Sequence, residues 1–194
     1  MHFFHISIGG GITGIETIVS AFIKIQEKLK KSKKKIEKFK FKKIFFAIID
    51  KYPKNIPGGV AYGFENSRFG YFNNPIRLSP IKFTKWLLKK QNKKKIINYL
   101  KIYGGYTGQD WLKKNKDILF SSKISKLKEL YIPRAIFNFW MEQKLLLLIS
   151  KMRNLSKKLS ISFDIKFFKG EVIAIKNLAN NYREIVFKNG RCEK

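Results

Sequence analysis

Residues 3–17 read FFHISIGGGITGIET, and this stretch decides the fold. A short apolar run is followed by three consecutive glycines and then by a fourth at position 14. Glycine loses more backbone freedom on folding than any other residue, so a cluster of glycines needs a specific role. Gly9, Gly11 and Gly14 form the pattern G-x-G-x-x-G, which is typical of a tight turn between a strand and a helix.

The sequence on either side of the glycines predicts a βαβ unit. Residues 3–8 are a short apolar run bounded by glycine, which is typical of a buried strand. From Thr13 to Leu29 apolar residues recur every three or four positions, which predicts an amphipathic helix. Residues 43–50, KIFFAIID, predict a second strand. Two strands joined by a helix in this way are expected to be parallel, with a right-handed crossover.

Each glycine of the pattern has its own role if the unit binds a dinucleotide. Gly9 makes the turn out of the strand, Gly11 lets the backbone approach a pyrophosphate, and Gly14 lets helix and strand pack closely. The helix start attracts the phosphates, and Thr13 adds a hydroxyl there. Asp50 ends the second strand, where an acid accepts hydrogen bonds from a ribose. The alternative is a glycine-rich turn without a ligand and an Asp at the surface.

The rest of the chain predicts a mixed α/β organisation. Residues 51–75 contain many Pro, Gly and aromatic residues and predict a long ordered loop. Residues 80–116 predict two or three short helices, and a long helix is predicted to begin near Pro133. Three further strands are predicted, ISFDIKFF (161–168), EVIAIK (171–176) and EIVFK (184–188). The last two are expected to form an antiparallel pair. The closing residues NGRCEK predict a turn and no further strand.

The charge balance is strongly basic, at +29, with 42 Lys and Arg against 13 Asp and Glu. Such a balance is typical of proteins that bind nucleic acid or an anionic membrane surface. However, the chain is rich in Lys, Ile, Phe and Asn together, whose codons are AT-rich, and it contains little Arg, the residue that pairs bidentately with guanine and phosphate. We therefore favour compositional bias over nucleic-acid binding, which stays an alternative.

Several other classes are excluded by simple patterns. Cys192 is the only cysteine, which excludes an internal disulfide framework and fits a reducing cytoplasm. No uncharged apolar run of about 18 or more residues occurs, so no membrane span is expected. The first residues lack the basic region and cleavage site of a signal peptide. No His/Cys cluster has metal-ligand spacing.

Five segments in one order carry a resemblance to a known family: SIGGGITGIET (7–17), FFAIID (45–50), PGGVAYG (57–63), YFNNP (71–75) and PRAIFNFWMEQKL (133–145). The chain resembles the FAD/NAD(P)-binding oxidoreductase family that includes FAD-dependent urate hydroxylase-like proteins. Members have a glycine motif, an acid after the second strand, a G-x-A-Y segment, a leucine-asparagine-hydrophobic-proline segment, and a proline-arginine that opens a long helix. The fourth segment is a loose match, and Asn138 replaces a glycine often found in the fifth.

The resemblance implies an α/β, Rossmann-like FAD/NAD(P)-binding domain over residues 1–194, with 76–132 as a mainly helical insertion. It implies an oxidoreductase that holds FAD non-covalently, with NAD(P)H as a candidate electron donor. The residues implied are Gly9, Gly10, Gly11, Thr13 and Gly14 at the pyrophosphate, Asp50 at the ribose, Gly59, Ala61, Tyr62 and Asn73 along the cofactor cleft, and Arg134 beside the dinucleotide. In such an enzyme the flavin carries the redox chemistry, so an obvious catalytic side chain is not required.

The resemblance also implies a shortened chain, because family members continue into an apolar strand and a second glycine segment that closes over the flavin. Three interpretations stay open. The first is an FAD-dependent oxidoreductase or its N-terminal, dinucleotide-binding part. The second is a non-enzymatic remnant, or a module that a second chain completes. The third is a basic protein associated with nucleic acid. The sequence identifies neither a substrate nor a reaction.

Overall fold

The chain divides into two compact units, each described below by itself. The first comprises Met1–Gly59 and Leu145–Lys194, and the second comprises Val60–Lys144. The residues that the computed structural model describes are 3–31, 43–121, 124–179 and 182–193. Within those ranges the fold is α/β, with a parallel sheet and a separate antiparallel sheet, both in the first unit.

The first unit is built on three parallel strands in the order β1-β2-β3, with bounds His5–Ile8, Lys43–Asp50 and Ser162–Lys169. The helix α1 (Ile12–Lys31) connects β1 to β2. The central strand β2 sets Phe46 opposite His5 of β1 and Ile165 of β3. The predicted βαβ unit with parallel strands is therefore confirmed, and the predicted helix begins at Ile12, one residue earlier than expected.

Helix α1 covers one face of this sheet with its apolar stripe. Ile15, Ile18 and Phe22 of the stripe are buried. The Phe22 ring packs edge-on against Phe46 of β2 and Phe163 of β3, at centroid distances of 6.5 and 5.7 Å. Burying a side chain of this size contributes about 1.5–3 kcal/mol. The spacing of apolar residues that predicted the helix is therefore also what holds it on the sheet.

The antiparallel sheet consists of β4 (Val172–Asn177), β5 (Arg183–Phe187) and β6 (Cys192–Glu193), in that order. Ile185 and Phe187 of β5 form a buried cluster with Ile49 of β2. Since Ile49 is three residues after Phe46, its side chain points to the face opposite α1. The parallel sheet is thus covered on both faces, as such sheets usually are.

The antiparallel pair expected from EVIAIK and EIVFK is confirmed, but the expectation of no strand in NGRCEK is wrong. Cys192 and Glu193 pair with Val186 and Ile185 of β5 after a turn at Gly190, which has φ +80°. Two residues are too few to show the alternation of polar and apolar residues that reveals a strand.

The described part of the second unit is helical. Its helices, two of which extend into the first unit, are α2 (Gly59–Tyr62), α3 (Phe64–Ser67), α4 (Ile81–Leu87), α5 (Lys90–Tyr103), α6 (Gly105–Phe120), α7 (Ile124–Lys128) and α8 (Arg134–Leu159). A 3₁₀ helix, Ile76–Leu78, precedes α4. The short helices expected over 80–116 are confirmed. None of the helices in the described ranges is long and apolar enough to cross a lipid bilayer.

Residues 51–75, expected to form a long loop, are ordered but not a loop throughout. They contain the 3₁₀ helix Pro53–Asn55 and the short helices α2 and α3. Each of these elements is about one turn long, which is too short to produce a periodic apolar pattern. The prediction that this segment is ordered, which its aromatic residues indicated, is therefore confirmed. The prediction that it is a loop throughout is wrong.

Aromatic side chains form the core of the second unit. The Phe137 ring lies 4.9 Å from Phe72, 5.0 Å from Phe83 and 5.1 Å from Trp140, measured between centroids. Ring pairs at these distances contribute about 0.5–1.5 kcal/mol beyond the area they bury. The chain's many phenylalanines thus include the residues that hold α4 and α8 together.

Candidate functional site

The glycine loop, residues 9–14, joins β1 to α1. Gly9 has φ +95°, a conformation that other residues rarely adopt, and its N–H donates to the carbonyl oxygen of Ile49 at 2.7 Å. The carbonyl of Gly11 accepts the hydrogen bond of Ile15 at 3.1 Å. The N–H groups of the first turn that follow Gly11 therefore have no partner within the helix. The first turn of α1 carries no acid.

Gly14 is required by packing. A Cβ on Gly14 would collide with the carbonyl oxygen of Gly9 and with the hydroxyl of Ser7. One of these two is a backbone atom, which cannot rotate away. The prediction that the third glycine lets helix and strand pack closely is therefore confirmed.

Gly11 is different, because no packing contact explains why it lacks a side chain. A Cβ at this position would have nothing within 4 Å, and the backbone of Gly11 is not left-handed. The open side of Gly11 adjoins the start of α1, where unpaired N–H groups and the positive end of the helix lie. This is the arrangement that a close approach of an anionic group to the backbone requires.

Asp50 is joined directly to the glycine loop. Its Oδ2 accepts the N–H of Gly10 at 2.6 Å, and its Oδ1 accepts the N–H of Tyr52 at 2.7 Å. An ionised carboxylate has about four lone-pair positions, so each oxygen can still accept another hydrogen bond. The sequence placed Asp50 at the end of β2 but gave no sign of this contact with Gly10.

The segment after β2 also lies against the glycine loop. The N–H of Gly58 donates to the carbonyl oxygen of Gly10 at 3.1 Å. Gly59 has φ +68°, and a Cβ built on it would lie 3.2 Å from the Cα of Gly11. A Cβ on Gly10 would collide with the side chain of Ile56. Of the residues in this segment after β2, the sequence predicted only Gly59 near the site. Ile56 carries no polar group that sequence analysis would single out.

In the second unit, Tyr62, Asn73 and Arg134 come together as the arginine cluster. The Arg134 guanidinium donates from Nε to the carbonyl oxygen of Tyr71 at 2.9 Å and from Nη2 to Oδ1 of Asn73 at 3.2 Å. Its Cζ lies 5.8 Å from the centroid of the Tyr62 ring. An arginine has five N–H donors, so the guanidinium can also bind an anion.

Contacts within the second unit hold the members of the arginine cluster in place. The Tyr62 ring packs on Phe72 and Phe137 at centroid distances of 5.4 and 5.2 Å. Arg134 is the first residue of α8 and is held by two hydrogen bonds. Ala61 is exposed on α2.

The first unit also contains a pocket of about 1200 Å³ beside α1 and β1. Its lining includes the rings of Phe3 and Phe4 and the basic side chains of Lys24 and Lys28. Thr13 is the only residue of the predicted site in this lining. The pocket is thus largely separate from the surface on the open side of Gly11.

Asn138, which stands where the resembled family often has glycine, belongs to a polar cluster in the second unit. It is fully buried, and its Oδ1 accepts a hydrogen bond from the Tyr99 hydroxyl at 2.8 Å. The same hydroxyl lies 3.2 Å from Oε1 of Glu142. Burial raises the pKa of Tyr99 above its usual range. Burial also raises the pKa of Glu142, and the hydrogen bond with Tyr99 opposes that shift.

The raised pKa of Glu142 predicts a pH dependence of stability. Its folded-state pKa lies above the ordinary value of 4.5, so its contribution is fully present below pH 4.5 and is lost as the pH rises through the folded-state pKa. Gln at position 142 cannot ionise. As the pH rises from 4.5 through the folded-state pKa of Glu142, the free energy of unfolding of the native chain should therefore fall relative to that of Glu142→Gln. Urea unfolding across a pH series measures the difference. Glu65→Gln, a control at an exposed position, keeps Glu142 and should follow the native curve. Equal curves for Glu65→Gln and Glu142→Gln would contradict the assignment.

Comparison with known proteins adds no assignment. Neither models of known protein families nor the curated proteins include a match to this chain. The function must therefore be argued from the geometry of the glycine loop and the arginine cluster.

Proposed function

We propose that the chain binds FAD non-covalently through the glycine loop, as an FAD-dependent oxidoreductase or as the dinucleotide-binding part of one. The proposal includes a Rossmann-like fold for residues 1–194, with 76–132 as an insertion, and a cytoplasmic location. The observation that carries it is the contrast between two glycines. Packing requires Gly14, whereas Gly11 faces open space beside the start of a helix.

The residues present fit a pyrophosphate at the glycine loop. The backbone N–H groups at the start of α1 would hold the phosphates, and Thr13 would add a hydroxyl. No acid in the first turn of the helix repels them. Asp50 would accept from the ribose with lone pairs that Gly10 and Tyr52 leave available.

A bound flavin would supply the redox chemistry, with NAD(P)H as the proposed electron donor. The chain's own part is to bind and orient the dinucleotide. The hydrogen bond between Asp50 and Gly10 fixes the glycine loop relative to the end of β2. A loop held in place by contacts within the chain needs less ordering when it binds a ligand.

The alternative of a module completed by a second chain has one structural observation in its favour. Strand β1 lies at the edge of the parallel sheet within the described residues, and Ile8 on it is 48% exposed. An unpaired strand edge is a template for another strand. Under this alternative the chain would take up FAD only together with its partner.

The proposal is tested by titrating the full chain with FAD and, separately, with FMN, and following flavin fluorescence. FMN lacks the pyrophosphate link and the adenosine that the glycine loop and Asp50 would recognise. FAD should therefore bind and be displaced by ADP, whereas FMN should bind at least tenfold more weakly. Equal binding of FAD and FMN, or no uptake of FAD by the chain alone, would overturn the proposal as stated.

A further inference from the structure

Three aromatic residues of the second unit, Phe69, Tyr71 and Tyr106, are left uncovered; we call them the aromatic patch. They are 70%, 39% and 84% exposed, respectively. A single exposed aromatic side chain is ordinary, whereas a contiguous exposed apolar patch is typical of a binding surface.

Backbone contacts hold the two segments that carry the aromatic patch against each other. The N–H of Gly70 donates to Oγ1 of Thr107 at 3.2 Å. Gly105 has φ +60°, and a Cβ built on it would lie 2.9 Å from the carbonyl oxygen of Arg68. The chain before Tyr71 therefore lies on the start of α6, and the three rings project from a fixed backbone.

Basic side chains border these rings. Arg68 is exposed and directly precedes Phe69. Lys114 lies two helical turns after Tyr106 and forms an ion pair with Asp110 at 2.8 Å. This ion pair raises the pKa of Lys114. Tyr106, Asp110 and Lys114 follow each other at intervals of four residues, so they share one face of α6. Asp110, the partner of Lys114 in this ion pair, also lies at the border of the rings.

We propose that the second unit binds single-stranded nucleic acid on the aromatic patch. Bases would stack on Phe69 and Tyr106, with phosphates beside Arg68 and Lys114. Stacking on an aromatic ring tolerates any base, because every base has a π face. The proposal goes beyond the proposed flavin binding, and the two are tested with different ligands, an oligonucleotide and FAD, so either can fail without the other.

A polymer fits this surface better than a single nucleotide does. Residues 60–144 contain 18 Lys and Arg against five Asp and Glu, so positive charge extends well beyond the rings. A long backbone of phosphates can neutralise dispersed lysines, whereas one nucleotide reaches only those beside it. Compositional bias explains the number of lysines but not the exposure of adjoining rings.

The test measures fluorescence anisotropy of a dye-labelled oligothymidine of about 12 nucleotides with the full chain, a length within the usual range of such sites. Affinity should fall steeply as salt rises. Tyr106→Ala should weaken binding about tenfold or more, as removal of a stacking ring does. Phe120→Ala, at the other end of α6 and about 20 Å away, should bind as the native chain does. Equal affinities for these two variants would overturn the proposal.

A charge-matched comparison separates the aromatic patch from general basicity. Arg68→Gln/Lys114→Gln removes two cations at the patch, and Lys94→Gln/Lys95→Gln removes two exposed cations on α5. The first pair should lose several-fold more affinity than the second. Equal losses would assign binding to net charge alone. Competition by thymidine monophosphate as strong as by the oligomer would assign a free nucleotide instead. Either result, or no binding, overturns the proposal.

Discussion

Gly14→Ala is expected to lower the free energy of unfolding of the first unit by about 2–3 kcal/mol, whereas Gly11→Ala changes it by less than about 1 kcal/mol. At Gly14 the added methyl group meets the backbone carbonyl of Gly9, so α1 must move away from β1. At Gly11 the methyl group enters open space. Alanine also favours the helix intrinsically, so a loss at position 14 reflects the collision alone.

Hydrogen exchange followed by mass spectrometry measures this difference locally. Peptides from α1 and β2 should lose protection in Gly14→Ala and keep it in Gly11→Ala. The three tryptophans, Trp86, Trp111 and Trp140, all lie in the second unit, so their fluorescence serves as an internal control. If both variants lost protection equally, Gly11 would be structural, and the contrast between the two glycines would not point to a ligand.

Phe137→Ala is expected to lower the unfolding free energy of the second unit by about 3–5 kcal/mol. Phe137 is 1% exposed, and its ring lies within 5.2 Å of four other aromatic rings, measured between centroids. Removing it leaves a cavity that rigid neighbours cannot fill. Tryptophan fluorescence during urea unfolding measures the effect, because all three tryptophans report on this unit.

Phe69→Ala is the matched control for that substitution. Phe69 is 70% exposed in the same unit, so its removal should change the unfolding free energy by less than about 0.5 kcal/mol. A comparable loss in both variants would mean that Phe69 is covered in solution. It would then contradict the description of the aromatic patch.

The βαβ unit can be predicted from sequence because its signals are local and strong. The stripe from Ile15 to Leu29 spans nearly the whole of α1, and β2 occupies residues 43–50 as predicted. Strand β6 and the short helices near Tyr62 cannot be predicted in this way, because each is shorter than the period that would reveal it. Their formation depends on neighbours that the sequence pattern does not show.

The sequence predicts the role of some residues of the candidate site but not the contacts of others. The packing role of Gly14 follows from its place in the motif. The hydrogen bond from Gly10 to Asp50 links residues 40 positions apart, and only the folded chain shows that the acid holds the loop. The arginine cluster has no local signal either, since the partner of Asn73 is 61 residues away. Membership of the flavoprotein family stays a prediction.

FAD retention by the native chain and by Gly11→Val tests the central claim most directly. Each protein is incubated with FAD and freed of unbound flavin before its visible absorbance is recorded, and hydrogen exchange of α1 is measured on separate samples to which no FAD was added. The account predicts flavin absorbance in the native chain, none in Gly11→Val, and equal protection of α1 in both. Retention of flavin by Gly11→Val, or a colourless native chain, would contradict it.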